Sequence, residues 1–254
     1  MHGAVGAVIL AAGRGKRMKS PLAKVLHAVG GKPMVQYVVE AARAVCGDAV
    51  VVVVGHQAEE VRRVVSRIAP VRFALQEEQL GTGHAVLCAL PEVPPSCESL
   101  LVLCGDVPLI APGTLASLLE DHHRARRDAT VLAVDLEQPR GYGRLIFDGE
   151  RRLRAIIEEA DADSAQRAVR TVNSGIYCLR RSFLEAALPR LSRDNAQGEY
   201  YLTDVVRLGV ESLCRVGVFR GGDPDEVLGV NSPEDLARVE RLLAARGPGG
   251  LHPA

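Results

Sequence analysis

The chain has 254 residues, 47% of them hydrophobic, and its 31 Lys and Arg balance 31 Asp and Glu. That length suits one large α/β domain or two small ones with a sizeable core. The zero formal charge removes any bulk electrostatic drive toward nucleic acid or an anionic membrane. No apolar run is long enough to span a bilayer. The first apolar run has no basic segment before it, so no signal peptide is expected and the chain reads as cytoplasmic. The six cysteines (46, 88, 97, 104, 178, 214) form no C-x-x-C pair. Cys46, Cys88, Cys178 and Cys214 lie among apolar residues and read as reduced, buried thiols rather than metal ligands or disulfides.

In chain order, "AVGAVIL" (4–10) is a strand that ends in a Gly-x-Gly turn and a basic loop, and a helix follows from about Pro33 to Val45. "AVVVVVG" from Ala49 is a buried strand, and Ala58 to Ile68 is an amphipathic helix with Val61, Val64, Val65 and Ile68 at helical spacing. "VRFAL" is a third strand, Gly83 to Leu90 a helix, "SLLVLCGD" a fourth strand. "PGTLASLLEDHH" is a helix opened by proline, and "ATVLAVDL" is a fifth strand. His122 and His123, in the polar helix end "EDHHRARRD", read as a solvated face. Strands alternating with helices in this way predict a doubly wound, mostly parallel sheet. Between 144 and 180, "RLIFD", "LRAII" and "VNSGIYCL" read as strands with no helices between them, an antiparallel extension of the first lobe. A helix from Tyr200, a strand "RVGVF" and a last helix from Pro233 follow, and "RGPGGLHPA" (246–254) reads as a frayed tail.

Ligands of open α/β sheets gather beyond the carboxyl ends of the strands. Four unusual segments fall at such ends: the basic loop, "QEEQLGTGHA", "LCGDVPL" and "GVNSPEDL". In the first, Gly13 and Gly15 let backbone N–H groups approach an anion, and Arg14, Lys16, Arg17, Lys19 and Lys24 supply positive charge. An ordinary strand-to-helix turn with a solvated basic face would look the same. The dinucleotide fingerprint fails, because Met18 stands where its third glycine should be, and the P-loop pattern is absent. Asp106 ends a strand and suits Mg²⁺, which takes one or two protein oxygens and leaves the rest to phosphates and water; a helix cap is the other reading. Asn231 offers a second oxygen, although taken alone it reads more readily as a capping or turn residue. Gln76, Gln79 and Thr82 carry groups suited to the Watson–Crick edge of a base, as would any polar loop.

Together these segments match a known pattern. "AVILAAGRGKRM" resembles the L-x-x-G-x-G-[ST]-R-M signature of sugar nucleotidyltransferases, with Lys16 in the Ser/Thr position. "LAKVLH", "QLGTGHA", "GDVPL", "GYGRL", "NSGIY", "NAQGEYYLTD" and "GVNSPEDL" follow in the order and spacing of the uridylyltransferase domain of the bifunctional GlmU family, from about residue 4 to 245. The resemblance implies a Rossmann-like nucleotidyltransferase domain over 1–245, with a smaller antiparallel sugar-binding lobe at about 136–185. It implies that UTP and N-acetylglucosamine 1-phosphate give UDP-N-acetylglucosamine, a cell-wall precursor, and pyrophosphate. Leu10, Ala11, Ala12 and Gly13 would hold the nucleotide, Arg17 and Lys24 the reacting phosphates, and Gln76, Gly81 and Thr82 the uracil. Cys104 and Gly105 would adjoin the substrate, Asp106 and Asn231 would hold Mg²⁺, and Gly141, Glu158 and Asn173 would bind the amino-sugar.

Three positions depart from the family's pattern: Cys104 replaces a tyrosine, Ala23 a proline that would stiffen the loop before Lys24, and Ala160 a lysine near Glu158. The family's left-handed β-helix, which carries an acetyltransferase, has no counterpart among these residues; a monofunctional protein and a piece ending at a domain boundary both stay open. So does the oligomeric state. A sibling using another base or sugar, and a non-catalytic sugar-nucleotide-binding subunit, are the rival readings. The second is disfavoured because the basic loop and the acidic strand end are both intact.

Overall fold

Five consecutive valines, Val50–Val54, form a strand buried along its whole length, as a parallel strand covered by helices on both faces requires. They lie at the heart of a computed structural model that describes residues 4–221 and 223–246; apart from Arg246, the expected tail at 246–254 lies outside the described residues. The strands are β1 (Ala4–Leu10), β2 (Ala28–Val29), β3 (Lys32–Pro33), β4 (Val50–Val54), β5 (Arg72–Leu75), β6 (Cys97–Cys104), β7 (Ala129–Asp135), β8 (Arg144–Phe147), β9 (Leu153–Ile157), β10 (Thr171–Arg180) and β11 (Val216–Arg220). The helices are α1 (Met34–Cys46), α2 (Ala58–Ile68), α3 (Thr82–Ala89), α4 (Pro112–Arg124), α5 (Ser164–Arg167), α6 (Arg181–Ala187), α7 (Asp204–Glu211) and α8 (Pro233–Arg246).

Among the described residues a nine-stranded sheet runs β11-β7-β10-β6-β1-β4-β5, with β8 and β9 attached through β10 and β2-β3 a separate hairpin. Within that path β10 is antiparallel to β6 and β7, and every other neighbouring pair is parallel. The expected doubly wound, mostly parallel sheet is therefore what forms. Period-2 alternation sends Val8, Val51 and Val53 to one face, where α3, α6 and α7 cover them. Ala7, Ile9, Val50, Val52 and Val54 face the other way, beneath α1, α2 and α4.

Besides α6 and the β2-β3 hairpin, which the sequence reading did not include, the structure departs from that reading in four places. Of the strands expected in the antiparallel extension, β10 enters the main sheet, while β8 and β9 form the hairpin that projects from it, joined to β10 by the single pair Arg144 and Val172. Between β9 and β10 a one-turn helix, α5, is closed by a reciprocal capping box of Asp163 and Gln166. The helix expected from Tyr200 starts instead at Asp204. The backbone of Tyr200 is committed elsewhere: its N–H donates to Leu80 (2.7 Å) and its carbonyl accepts from Gly83 (2.8 Å), which locks this segment onto the loop before α3.

His122 is the fourth departure. It is buried at 2% exposure rather than solvated, with Nδ1 2.9 Å from the Thr130 hydroxyl on β7. Burial, with smaller contributions from His123 and nearby arginines, lowers its pKa from 6.5 to about 4. The unfolded chain therefore takes up a proton near pH 6.5 that the folded chain refuses until about pH 4. The stabilisation is complete above pH 6.5 and is lost as pH falls, amounting to about 2 kcal/mol by pH 5. His122→Asn, which keeps an acceptor for Thr130, should flatten this slope in urea unfolding between pH 7 and pH 5; an unchanged slope would remove His122 as its source.

Candidate active site

The loops after β1 and β6 lie at the switch point of the sheet, because the chain leaves β1 toward β4 and β5 on one side and returns to β6 on the other. A cleft of about 780 Å³ opens there, floored by Leu10, Ala11, Ala12 and Gly13. The strand-end backbone is largely occupied within the fold: Leu10 accepts from Gly105 (2.9 Å), Ala11 donates to Val53 (2.9 Å) and Ala12 accepts from His56 (3.1 Å). Gly105 thus ties β1 to β6 and is not among the residues that line the cleft. A side chain on Gly105 would meet the Leu10 carbonyl at 3.0 Å. Gly15 takes a left-handed φ of 61°, and any Cβ there would lie 2.6 Å from that of Lys24. Its hydrogen atom lets Lys24 cross the turn and reach the cleft.

Four polar side chains from three separate loops meet at the inner end of the cleft. The Lys24 ammonium is ion-paired with Asp106 and donates to Asn231 Oδ1 at 3.1 Å, and Arg17 donates to the same Oδ1 at 2.9 Å. The Asn231 loop is fixed by the Val230 N–H on the Asp106 carbonyl (2.9 Å). Neither Asp106 nor Asn231 is a helix cap. Ala111 precedes α4, and at α8 Ser232 accepts from the Asp235 N–H while Asp235 accepts from Ser232 and Asn231. The capping role that sequence favoured for Asn231 belongs to Ser232, leaving the Asn231 amide for the cleft.

Asp106 Oδ2 and Asn231 Oδ1 already converge on one cationic group, the Lys24 ammonium. One carboxylate and one amide oxygen so placed fit a hard divalent ion that draws its remaining ligands from phosphate and water. Among the described residues no cluster of three or more His, Cys, Asp or Glu is arranged to hold a metal by itself.

A second cavity of about 190 Å³ leads off the cleft, and Leu10, Thr82, Cys104, Asp106 and Asn231 border both. Gly141, Glu158 and Asn173 line this second space. Burial raises the Glu158 carboxyl pKa, opposed by the Thr203 hydroxyl, which donates at 3.0 Å. Asn173 donates to the Tyr177 hydroxyl (2.7 Å) and accepts from the Gly175 N–H (3.0 Å). The Gly141 loop is held by Glu159, which accepts from the Gly141 N–H (2.8 Å) and from buried Arg144 (2.9 Å). Arg144, Glu159, Tyr142 and Thr203 were not singled out in the sequence. Arg144 stood in the quoted "GYGRL", but only its burial at 2% exposure marks it as structural.

Elsewhere along the cleft, Gln76 is buried and Gly81 has φ 111°, with its missing side chain replaced by the Tyr200 carbonyl 2.6 Å from where a Cβ would lie. Thr82 accepts from the Leu202 N–H at 3.0 Å. Gln79 is spent on its own loop, donating to the carbonyls of Gln76 and Glu77, both at 3.1 Å.

The departures from the family pattern have physical answers. Ala23 does not leave its loop loose: Gln57 accepts from the Ala23 N–H at 2.6 Å and donates to the Pro21 carbonyl at 2.9 Å. Cys104 packs against Gly175, its Sγ 3.5 Å from the Gly175 carbonyl, and burial pushes its thiol up to about 12, so it stays protonated. Ala160 is exposed. All six cysteines are free, as expected; Cys178 is buried, but Cys46, Cys88 and Cys214 are half-buried rather than buried, as is Cys104, and Cys97 is buried. Among the described residues no helix is long and apolar enough to cross a membrane.

The strand-end cleft thus gathers Arg17 and Lys24 around the Asp106 carboxylate and the Asn231 amide, and opens into a second cavity. The sequence profile of the MobA-like NTP transferase domain matches residues 7–186, and the chain belongs to that family. It is 47% identical over 242 residues to the bifunctional protein GlmU of Geotalea uraniireducens (strain Rf4), covering 95% of this chain and 53% of that protein. It is 44% identical over 239 residues to the bifunctional protein GlmU of Desulfotalea psychrophila (strain LSv54 / DSM 12343), covering 94% of this chain and 70% of that one. The chain spans about half the length of most of the relatives it matches. In fold it is similar to a UDP-glucose pyrophosphorylase solved with UDP-glucose, with a TM-score of 0.77 at 17% identity, covering 96% and 99% of the two chains.

Proposed function

We propose that the chain is a cytoplasmic uridylyltransferase that joins UTP and N-acetylglucosamine 1-phosphate to give UDP-N-acetylglucosamine and pyrophosphate. The observation that carries the reading is the meeting of Arg17, Lys24, Asp106 and Asn231 where the larger cleft opens into the smaller cavity. A nucleoside triphosphate in the first space and a sugar phosphate in the second would bring their reacting phosphates together there.

The attacking group is a sugar-phosphate oxygen that is already ionised near neutral pH, so the reaction needs no general base. The barrier lies in aligning two anions and neutralising charge at the α-phosphate. Arg17 and Lys24 supply fixed positive charge at that point. A Mg²⁺ ion held by Asp106 and Asn231 would supply further charge neutralisation on the phosphate oxygens. Leu10 to Gly13 form the floor beneath the nucleotide, and Gln76, Gly81 and Thr82 face its base. Glu158 and Asn173 face the amino-sugar, beside the Gly141 turn that Glu159 and Arg144 hold in place.

The test is pyrophosphate release with a panel of nucleotides and sugar phosphates. Release should be fastest with UTP and N-acetylglucosamine 1-phosphate. UTP should exceed CTP strongly, because a site built for one donor–acceptor pattern leaves buried groups unpaired with the other. Gln76→Ala should narrow that preference. Equal rates with UTP and CTP in the unaltered protein would overturn the base assignment, and fastest turnover with another sugar phosphate would overturn the sugar assignment.

A further inference from the structure

We propose that His84 sets base specificity by fixing which end of the Gln76 amide faces the nucleotide. The inference rests on the uridylyltransferase reading and adds to it a residue that lies outside the set facing the substrate. Gln76 Nε2 donates to the Gly81 carbonyl at 3.0 Å and lies 3.2 Å from His84 Nδ1. A carbonyl oxygen can only accept, so the atom beside Gly81 is the NH₂ end of the amide and not its oxygen. That NH₂ group has a second hydrogen, and His84 Nδ1 must accept it. The ring proton of His84 then sits on Nε2, which lies 3.6 Å from the Cys88 sulfur one helical turn further along α3. The Tyr200 ring packs beside the imidazole at 6.3 Å between centroids.

With both amide hydrogens engaged, Gln76 can offer the cleft only its Oε1, an acceptor. Uracil carries a hydrogen on N3 and can satisfy it; cytosine has a lone pair at N3 and would set acceptor against acceptor. Pairing the amide with cytosine at N3 would require it to rotate by half a turn. That would place Oε1 against the Gly81 carbonyl and would force His84 to move its ring proton from Nε2, where it faces Cys88, to Nδ1. Gln76 is 3% exposed, so water cannot step in to relieve the clash. His84 is a positioning residue in this scheme: it touches Gln76, not the base.

The test is the ratio of kcat/KM for UTP to that for CTP, with equilibrium binding of each nucleotide measured by calorimetry. His84→Phe and His84→Ala remove the acceptor and should lower the ratio about tenfold or more, mainly by improving CTP. His84→Asn places an oxygen near the Nδ1 position and should keep the ratio close to that of the unaltered protein. Thermal unfolding identifies any variant that fails to fold, and two acceptor-free variants keep the comparison available. A ratio unchanged in His84→Phe or His84→Ala, or lost equally in His84→Asn, would overturn the role of His84 while leaving the uridylyltransferase reading intact. Absence of UTP preference in the unaltered protein would instead strike that reading itself.

Discussion

Asp106→Asn should lower turnover by on the order of a hundred- to a thousandfold while the protein stays folded. The substitution keeps the shape of the side chain and removes its charge, and the site it weakens is one where preorganised charge is worth about 3–4 kcal/mol in the transition state. Asn231→Ala removes an oxygen and keeps the carboxylate, so its loss should be smaller, and raised Mg²⁺ should rescue it better than it rescues Asp106→Asn. Both oxygens converge on the Lys24 ammonium, which places them within reach of one ion. The double variant should therefore be little worse than Asp106→Asn alone, since residues acting as a unit are not additive. Mn²⁺ binding followed by electron paramagnetic resonance gives a readout independent of turnover. Fully additive losses, or unchanged metal dependence in either single variant, would separate the two residues.

Lys24→Ala and Arg17→Ala should each cost about a hundredfold in kcat/KM, roughly 3 kcal/mol of transition-state stabilisation. Arg17 is exposed, so its truncation should barely move the melting temperature; Lys24→Ala keeps the Cβ that packs across Gly15 but removes the counter-ion of the largely buried Asp106, and should lower the melting temperature. Lys24 also neutralises Asp106 in the ligand-free protein. Its removal leaves the carboxylate with the Asn231 oxygen beside it and no ammonium between them. Near-normal turnover in both variants would show that the basic loop serves something other than the reacting phosphates.

The layered sheet was legible because its signals are local. Val50–Val54 and the helical spacing of Val61 and Val65 in α2 report burial through periods that short windows reveal. The loops at the strand ends were legible for the same reason, since each carries its glycines and charges within a few residues. Where prediction failed, a distant partner had intervened. Tyr200 looked helical until Leu80 and Gly83 claimed its backbone. His122 looked solvated within its polar stretch until the fold set it against Thr130 of β7.

The sequence by itself determined the class of sheet, the four strand-end loops and the kinds of group they carry, because backbone conformation and side-chain periodicity are largely settled by near neighbours. Only the tertiary structure decided what those groups do to one another. It gave the cap of α8 to Ser232 and turned Asn231 into the cleft. It set Lys24 on Asp106 across 82 positions and Arg17 on Asn231 across 214. It replaced the missing proline before Lys24 with a clamp from Gln57, and it turned the NH₂ end of the Gln76 amide onto Gly81 and His84. Each of those outcomes is a hydrogen bond or ion pair whose strength depends on distances of a few ångströms, and for partners far apart in the chain those distances exist only once the sheet has closed.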